Sequence, residues 1–484
     1  MIGYLKQGVV YSAIGKFGNV FVNLIVNAVL SRLLTPQEYG VVSIIQVFIL
    51  FFQLLVEAGM GPAIIQNKGL SQNDNGILFN YSVLIAVALS ISFGIFGYIL
   101  ANIYGNDIYI NLSWLQAFAI LFNGLNVVPT ALLNKNKMFK NVNLNNIISN
   151  IISGSIGVIM ALNGYGVYSL IGSSITLSLC MFLLNFKSSQ LKLVNKWDKK
   201  VVSSIAEFSV NQFGFNFINY FSRNSDNILI GKFMGETALG NYSKAYQLLM
   251  MPNSVLLGVI NPILQPVLSD FQENVVLVRK VYFKILRLLA LIGIPLSVYL
   301  SVFSKEIILF LFGDQWGAAV FPFKILSTTV WIQMTLSSTG AIFQARNKTK
   351  ELLTTGIYSA IILVGSICIG ILSGDLKSFS VCLTVGFYFN YFVNFRRVMN
   401  LVLHSSILDM LKEFKNAAFI GLIELILLLI SYPYISKLGS SFVVILISGA
   451  IFIFVFIILV MLLNEFKIIN EGLTNLDSIS EEKI

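Results

Sequence analysis

Fourteen stretches of mostly apolar residues, each close to 20 long, follow one another along this chain. They lie at about 9–30, 40–60, 77–102, 112–133, 144–162, 166–186, 205–230, 241–266, 281–303, 319–343, 353–372, 377–395, 415–434 and 439–463. A helix needs roughly 20 apolar residues to cross about 30 Å of hydrocarbon. Such a series predicts an all-α integral membrane protein with 14 transmembrane helices. Of the 484 residues, 56% are hydrophobic and 11% charged, against about 25% charged in a soluble domain. The first stretch is too long for a signal-peptide core and has no small-residue cleavage site behind it, so it reads as a span.

The charges orient the spans. The net charge is +10, and the basic residues sit in short loops rather than in a stripe suited to nucleic acid. Of 32 Lys and Arg, 23 fall at the termini and in the loops after the even-numbered spans, 6 in the opposite loops and 3, Lys16, Arg223 and Lys324, within spans. Loops rich in Lys and Arg stay in the cytoplasm, so both termini are expected there. The "SKEIILFLFGDQW" segment at 304–316 is too short to cross and reads as an outer interfacial helix that includes Trp316.

The first span carries an anomaly. Ser12, Lys16, Asn19, Asn23 and Asn27 are spaced by 4, 3, 4 and 4 residues and share one helical face. The seventh span repeats it: "KFGNVFVNLIVN" aligns without gaps with "QFGFNFINYFSR", and Gln212, Asn216, Asn219, Arg223 and Asn227 form a second polar face. Beyond a four-residue insertion, "LTPQEYGVVS" lies against "GETALGNYSK". The pattern reads as two pseudo-symmetric six-helix lobes, 1–200 and 201–400, then two additional helices within 401–464 and a tail, 465–484. Lobes with even span numbers are related by an axis along the membrane normal. Polar faces are costly against lipid, so the two faces are expected to line a central wet cleft.

"LSRLLTPQEYGVVSI", "GMGPAIIQ", "RNSDNILIGKFMGETALGNYSKAYQLLMMP" and "LFGDQWGAAVFPFKIL" occur in that order. Together they resemble polysaccharide repeat-unit flippases, the lipid-linked oligosaccharide exporters of the multidrug/oligosaccharidyl-lipid/polysaccharide superfamily, of the teichuronic acid, colanic acid and O-antigen type. The resemblance covers about 1–400; the last two spans match in hydropathy alone. It implies a V-shaped two-lobe bundle working by alternating access in a bacterial plasma or inner membrane. The implied substrate is an undecaprenyl-diphosphate-linked glycan moved from the cytoplasmic to the outer leaflet. A polysaccharide polymerase and other assembly proteins are the implied partners, beside membrane lipid. The family pattern contains the Asp at 226 and commonly the Arg at 223.

Individual residues carry two readings each. Lys16 is a phosphate-contacting cation or a snorkelling chain, and Lys324 near Pro322 likewise. Arg223 and Asp226, at i and i+3, are an intrahelical pair or a guanidinium kept for a diphosphate. Glu57, Asp226 and Glu424 are candidates for coupling H+ or Na+; Glu424 lies mid-span in "GLIELILLL". Gln116, Asn123, Asn126, Gln247, Asn253, Asn261 and Gln265 bond sugar hydroxyls or glue helices together. The cysteines, Cys180, Cys368 and Cys382, lack metal-ligand spacing.

No cofactor, metal or catalytic residue is expected, and without a Walker A pattern the chain does not hydrolyse ATP. A glycan polymerase would need a sizeable outer loop, and the sequence has none. A cation-coupled multidrug exporter would line its cleft with acids, whereas the three buried cations favour an anionic cargo. A peptidoglycan lipid-precursor flippase shares the diphosphate anchor, and the motifs alone argue against it.

Overall fold

The computed structural model describes residues 2–57, 59–67, 69–203, 220, 224–269 and 271–466, with side chains there except at 2–17, 255–267, 269 and 349. Among the described residues there is no strand. The chain divides into two compact units, Met1–Gly240 and Asn241–Ile484.

The first unit begins with α1 (Ile2–Leu33), α2 (Pro36–Glu57) and a short α3 (Met60–Gln66), followed by α4 (Gln72–Tyr104), α5 (Ile108–Lys135), α6 (Phe139–Leu162) and α7 (Val167–Ser189). The sequence punctuates these helices. Ser71 caps α4 reciprocally: its Oγ accepts from the Asp74 N–H (3.2 Å), and the Asp74 carboxylate accepts from the Ser71 N–H (2.9 Å). Pro36 opens α2, where its missing N–H is harmless. α4 runs along α5, α5 and α6 along α7, and α1 along α6. Small residues set these approaches: a Cβ at Gly97 would lie 2.7 Å from Ser113 Cβ, and one at Gly124 2.4 Å from Ala86 Cβ. In hydrocarbon, where lipid is as apolar as leucine, close backbone approach is what drives such packing.

The second unit contains α8 (Glu236–Ser269), whose first turn belongs to the first unit, then α9 (Val275–Val302), α10 (Ser304–Phe312) and a 3₁₀ turn (Asp314–Ala319). Three short helices follow, α11 (Val320–Ser327), α12 (Val330–Leu336) and α13 (Thr339–Ala345), and then α14 (Thr349–Leu372), α15 (Leu376–Arg397), α16 (Ile407–Glu413), α17 (Lys415–Ile435) and α18 (Ser441–Leu462). Its core gathers Tyr282, Leu286 and Ala290 of α9 with Tyr391 and Phe395 of α15 and Ala417 and Ile420 of α17.

Nine helices of the described residues are long and apolar enough to cross a membrane, with a shorter apolar helix at Gly18–Leu33. The chain is therefore an all-α integral membrane protein. Most of the seventh predicted stretch, 205–230, lies outside the described residues, and the number 14 stays a sequence expectation. The tenth, expected as one span over 319–343, is broken into α11, α12 and α13. Its serines and threonines explain the breaks. Thr328 and Thr329 donate to Ile325 O and Leu326 O (both 2.7 Å), and Ser338 and Thr339 donate to Thr335 O (2.6 Å) and Leu336 O (2.7 Å). Hydroxyls bonded three or four residues back compete with the helical ladder and bend it.

α10 forms where the interfacial helix was expected, but Trp316 is fully buried rather than at a surface. Its ring lies 6.0 Å from that of Phe312, with Lys244 Nζ 5.6 Å from the indole.

Glu465 is fully buried just beyond α18, where it accepts from Arg287 of α9 and Asn416 of α17, both at 2.5 Å. This joins the last two helices to the core of their unit. Glu465→Leu leaves a guanidinium and an amide without their acceptor, and a loss of about 2 kcal/mol follows. In thermal unfolding of the detergent-solubilised protein, this variant melts several degrees lower, and Arg287→Met combined with Glu465→Leu recovers most of the difference.

Candidate functional site

The polar face of α1 divides between two surroundings. Asn19 Oδ1 accepts from Asn150 Nδ2 of α6 (3.0 Å), so this amide also ties two helices. Asn23 is exposed, and Asn27 Nδ2 donates to Asn23 O (2.9 Å). Lys16 lies on the α1 backbone, with its side chain outside the described residues. Of the second polar face, Gln212, Asn216, Asn219 and Arg223 lie outside them as well, and Asn227 is half-buried. Asp226 is buried, and its Oδ1 accepts from the Asn227 N–H (2.8 Å). Tyr220 and Lys232 reach α2 and α4: Tyr220 OH donates to Val47 O, and Lys232 Nζ to Ile103 O.

Next to them stands a polar hub that the sequence did not single out. Glu236 Oε1 accepts from Tyr109 OH (2.8 Å) and Asn106 Nδ2 (3.0 Å), and its Oε2 from Gln37 Nε2 (3.2 Å). The backbones come together here too. A Cβ on Gly40 would lie 1.8 Å from Glu236 O, and one on Gly240 1.9 Å from Pro36 O. In the pairing read from the sequence Gly40 falls opposite Asn241; shifted by one residue, to an offset of 200, positions 36 and 40 fall opposite 236 and 240, and each glycine meets the other segment's counterpart.

The other candidates are dispersed. Gln116 Oε1 accepts from Ser174 Oγ (3.3 Å), and Asn126 Oδ1 from Asn185 Nδ2 (3.0 Å), which places both between helices of the first unit. Asn145 Nδ2 extends that chain to Asn185 Oδ1 (2.8 Å). Asn123 is half-buried, Gln247 exposed, and Asn253 Nδ2 donates to Ser337 Oγ (3.2 Å). Asn261 and Gln265 have side chains outside the described residues. Glu57 and Lys324 are exposed. Glu424 is 1% exposed, with neither carboxylate oxygen in a hydrogen bond among the described residues.

Lys244, counted with the outer loops on sequence, is instead buried in α8, its Nζ 4.9 Å from the Phe312 ring centre. Its apolar stem and the aromatic faces make that burial tolerable. Its position inside the apolar stretch 241–266 was the available sign.

A family model described as polysaccharide biosynthesis protein matches residues 29–321, more than half of the chain. The chain belongs to this family. An uncharacterized membrane protein in the cps region of Klebsiella pneumoniae is 23% identical over 463 residues, 92% of each chain. Teichuronic acid biosynthesis protein TuaB of Bacillus subtilis is 21% identical over 71% of this chain and 72% of its own length. Lipopolysaccharide biosynthesis protein WzxC of Escherichia coli is 20% identical over 80% of this chain and 78% of its own length. Among solved structures, the lipid II flippase MurJ in an inward closed conformation superposes with a TM-score of 0.76 at 16% identity, covering 95% of this chain and 100% of MurJ. An inward-facing multidrug resistance MATE family transporter reaches 0.58 at 13% identity, covering 79% of this chain and 96% of that one. At these identities the likeness is one of fold.

The glycine pair at the Glu236 hub has no room for a methyl group. Gly40→Ala and Gly240→Ala each force backbone apart, at a cost of about 3 kcal/mol, the upper range for overpacking. Gly356→Ala, at an open helical position, is the control: it leaves the melting temperature unchanged or raises it, whereas both hub variants lower it.

Proposed function

We propose that this chain is a flippase that carries undecaprenyl-diphosphate-linked oligosaccharide repeat units from the cytoplasmic to the outer leaflet for assembly of a surface polysaccharide. The observation that carries the reading is the family match over 29–321. Relatives named for teichuronic acid, succinoglycan and lipopolysaccharide biosynthesis support it. Those polymers differ in their sugars. What such cargoes share is a charged, hydrated head on a long apolar tail.

Only that head opposes crossing, because hydrocarbon solvates neither charge nor hydroxyls. The polar faces of α1 and of the seventh stretch offer it water and amides while the tail stays in lipid. Lys16, Arg223 and Lys324 serve the diphosphate, Arg223 by a bidentate contact. Asn19, Asn23, Asn27, Gln212, Asn216 and Asn219 serve the glycan, and Asp226 holds Arg223 between cargoes. Lobes 1–200 and 201–400 rock in alternating access, with the 36–40 and 236–240 segments closing the outer end. Helices within 401–464 and a tail at 465–484 complete the chain. Both termini face the cytoplasm of a bacterial plasma or inner membrane, on the evidence of loop charge. Glu57, Asp226 or Glu424 couples the cycle to H+ or Na+, and a polysaccharide polymerase consumes the product.

Deletion in the native host tests this. The expected result is loss of surface polysaccharide with lipid-linked repeat units retained in the cytoplasmic leaflet. Intact polysaccharide with new drug sensitivity indicates a multidrug exporter instead. In complementation, Arg223→Ala lowers export at least tenfold and Arg223→Lys less. Wild-type export from both removes the phosphate role of this residue.

A further inference from the structure

The segment between α7 and residue 201 reads as a loop with many lysines, yet it is built firmly onto α4. Asn80 Nδ2 donates to Val194 O (2.7 Å) and to Lys196 O (3.1 Å), clamping the strand of chain across the helix. At Gly76 the fit is close enough that a Cβ would lie 2.5 Å from Lys192 O. Leu191 and Val201 pack on the apolar cluster beneath. Trp197 stands edge-on against Tyr81, with ring centres 5.0 Å apart, and remains 56% exposed. Asn80, Val83, Leu84, Val87, Ala88 and Trp197 line a shallow, largely open groove of about 490 Å³.

The walls are apolar apart from the Asn80 amide and the indole N–H. Leu84 and Val87 are 56% and 42% exposed, on a helix that crosses the membrane, so this groove faces lipid. Between Asn80 and Ala88 it climbs about 12 Å, most of the roughly 15 Å of hydrocarbon in one leaflet. The segment that carries Trp197 also carries Lys192, Lys196, Lys199 and Lys200, all exposed. Among the described residues, none of them has an acidic side chain within ion-pair distance. The nearby Asp198 is engaged by the Lys200 backbone N–H (2.8 Å).

We propose that this groove is a binding site for an anionic phospholipid, with an acyl chain along Val83, Leu84, Val87 and Ala88 and the phosphate among the four lysines. Trp197 sits at the level where indoles favour the boundary between headgroup and hydrocarbon. An apolar slot alone would accept any lipid. Four uncompensated cations on the Trp197 segment select the negative one, because each basic side chain near a bilayer surface is drawn to anionic headgroups. On the orientation proposed above, the lipid belongs to the cytoplasmic leaflet. The inference does not depend on which cargo the chain carries.

Bromine-labelled lipid reports occupancy through tryptophan quenching. The full-length protein is reconstituted in phosphatidylcholine vesicles holding about one-tenth phosphatidylglycerol, with bromine on the acyl chains of one lipid or the other. The chain has 4 tryptophans, so the Trp197 signal is the difference between wild type and Trp197→Phe. Brominated phosphatidylglycerol is expected to quench it about tenfold more per mole than brominated phosphatidylcholine. Replacing Lys192, Lys196, Lys199 and Lys200 by Gln brings that ratio to about one. Ala88→Phe, at an exposed position that does not disturb the fold, fills the groove and also lowers the ratio with every lysine in place. Equal quenching by the two lipids in wild type overturns the proposal. So does a preference that survives the lysine replacement, or one that Ala88→Phe leaves unchanged, which indicates diffuse surface attraction with no seat for the chain.

Discussion

A polar group inside hydrocarbon has to find its partner within the chain, and this constraint organises the whole molecule. Helices satisfy the backbone, and several side-chain amides and hydroxyls pair with one another across helices. Asn145, Asn185, Asn126 and Thr130 form a connected chain between α5, α6 and α7. Asn19 and Asn150 join α1 to α6, and Tyr299 and Ser448 join α9 to α18 at 3.2 Å. Each such bond is worth about 0.6 kcal/mol on average in a membrane, so their value lies in fixing which helix faces which.

The same constraint explains where helices break. Between 328 and 339 the hydroxyls of serines and threonines turn back on carbonyls of the preceding turn. The segment becomes three short helices while the hydroxyls of Thr328, Thr329, Thr335, Ser338 and Thr339 stay bonded. Hydropathy cannot register this, since threonine and serine in an apolar run barely change its mean. The existence of the spans was legible because apolar length is a strong signal. Their internal kinks depend on which way a hydroxyl points, and composition does not encode that.

Site residues were legible to a lesser degree. The stripe of Asn19, Asn23 and Asn27 was visible as spacing, but spacing says only that residues share a face. It does not say that Asn19 meets Asn150 while Asn23 is exposed. Glu236 and Lys244 escaped notice for the opposite reason. Each lies near a predicted helix end, where a charge is ordinary, and only tertiary packing puts Tyr109, Asn106 and Gln37 around one and aromatic rings beside the other. The glycine correspondence at 40 and 240 lies one residue off the pairing read from the sequence, and it emerges once each glycine is found against the other's segment.

A transporter of amphiphilic cargo combines two demands, a lipid-facing exterior for the tail and a wet polar route for the head. Family membership, the apolar spans and the polar faces of α1 and the seventh stretch fit that combination. The central claim, that those two faces border water, has a direct measurement. With Cys180, Cys368 and Cys382 replaced by alanine, single cysteines are placed at Asn23, Asn219 and the lipid-facing Ile91, which is 50% exposed on α4, and treated with a charged maleimide. The account predicts labelling at 23 and 219 and none at 91. Protection at 23 and 219 as complete as at 91 contradicts it.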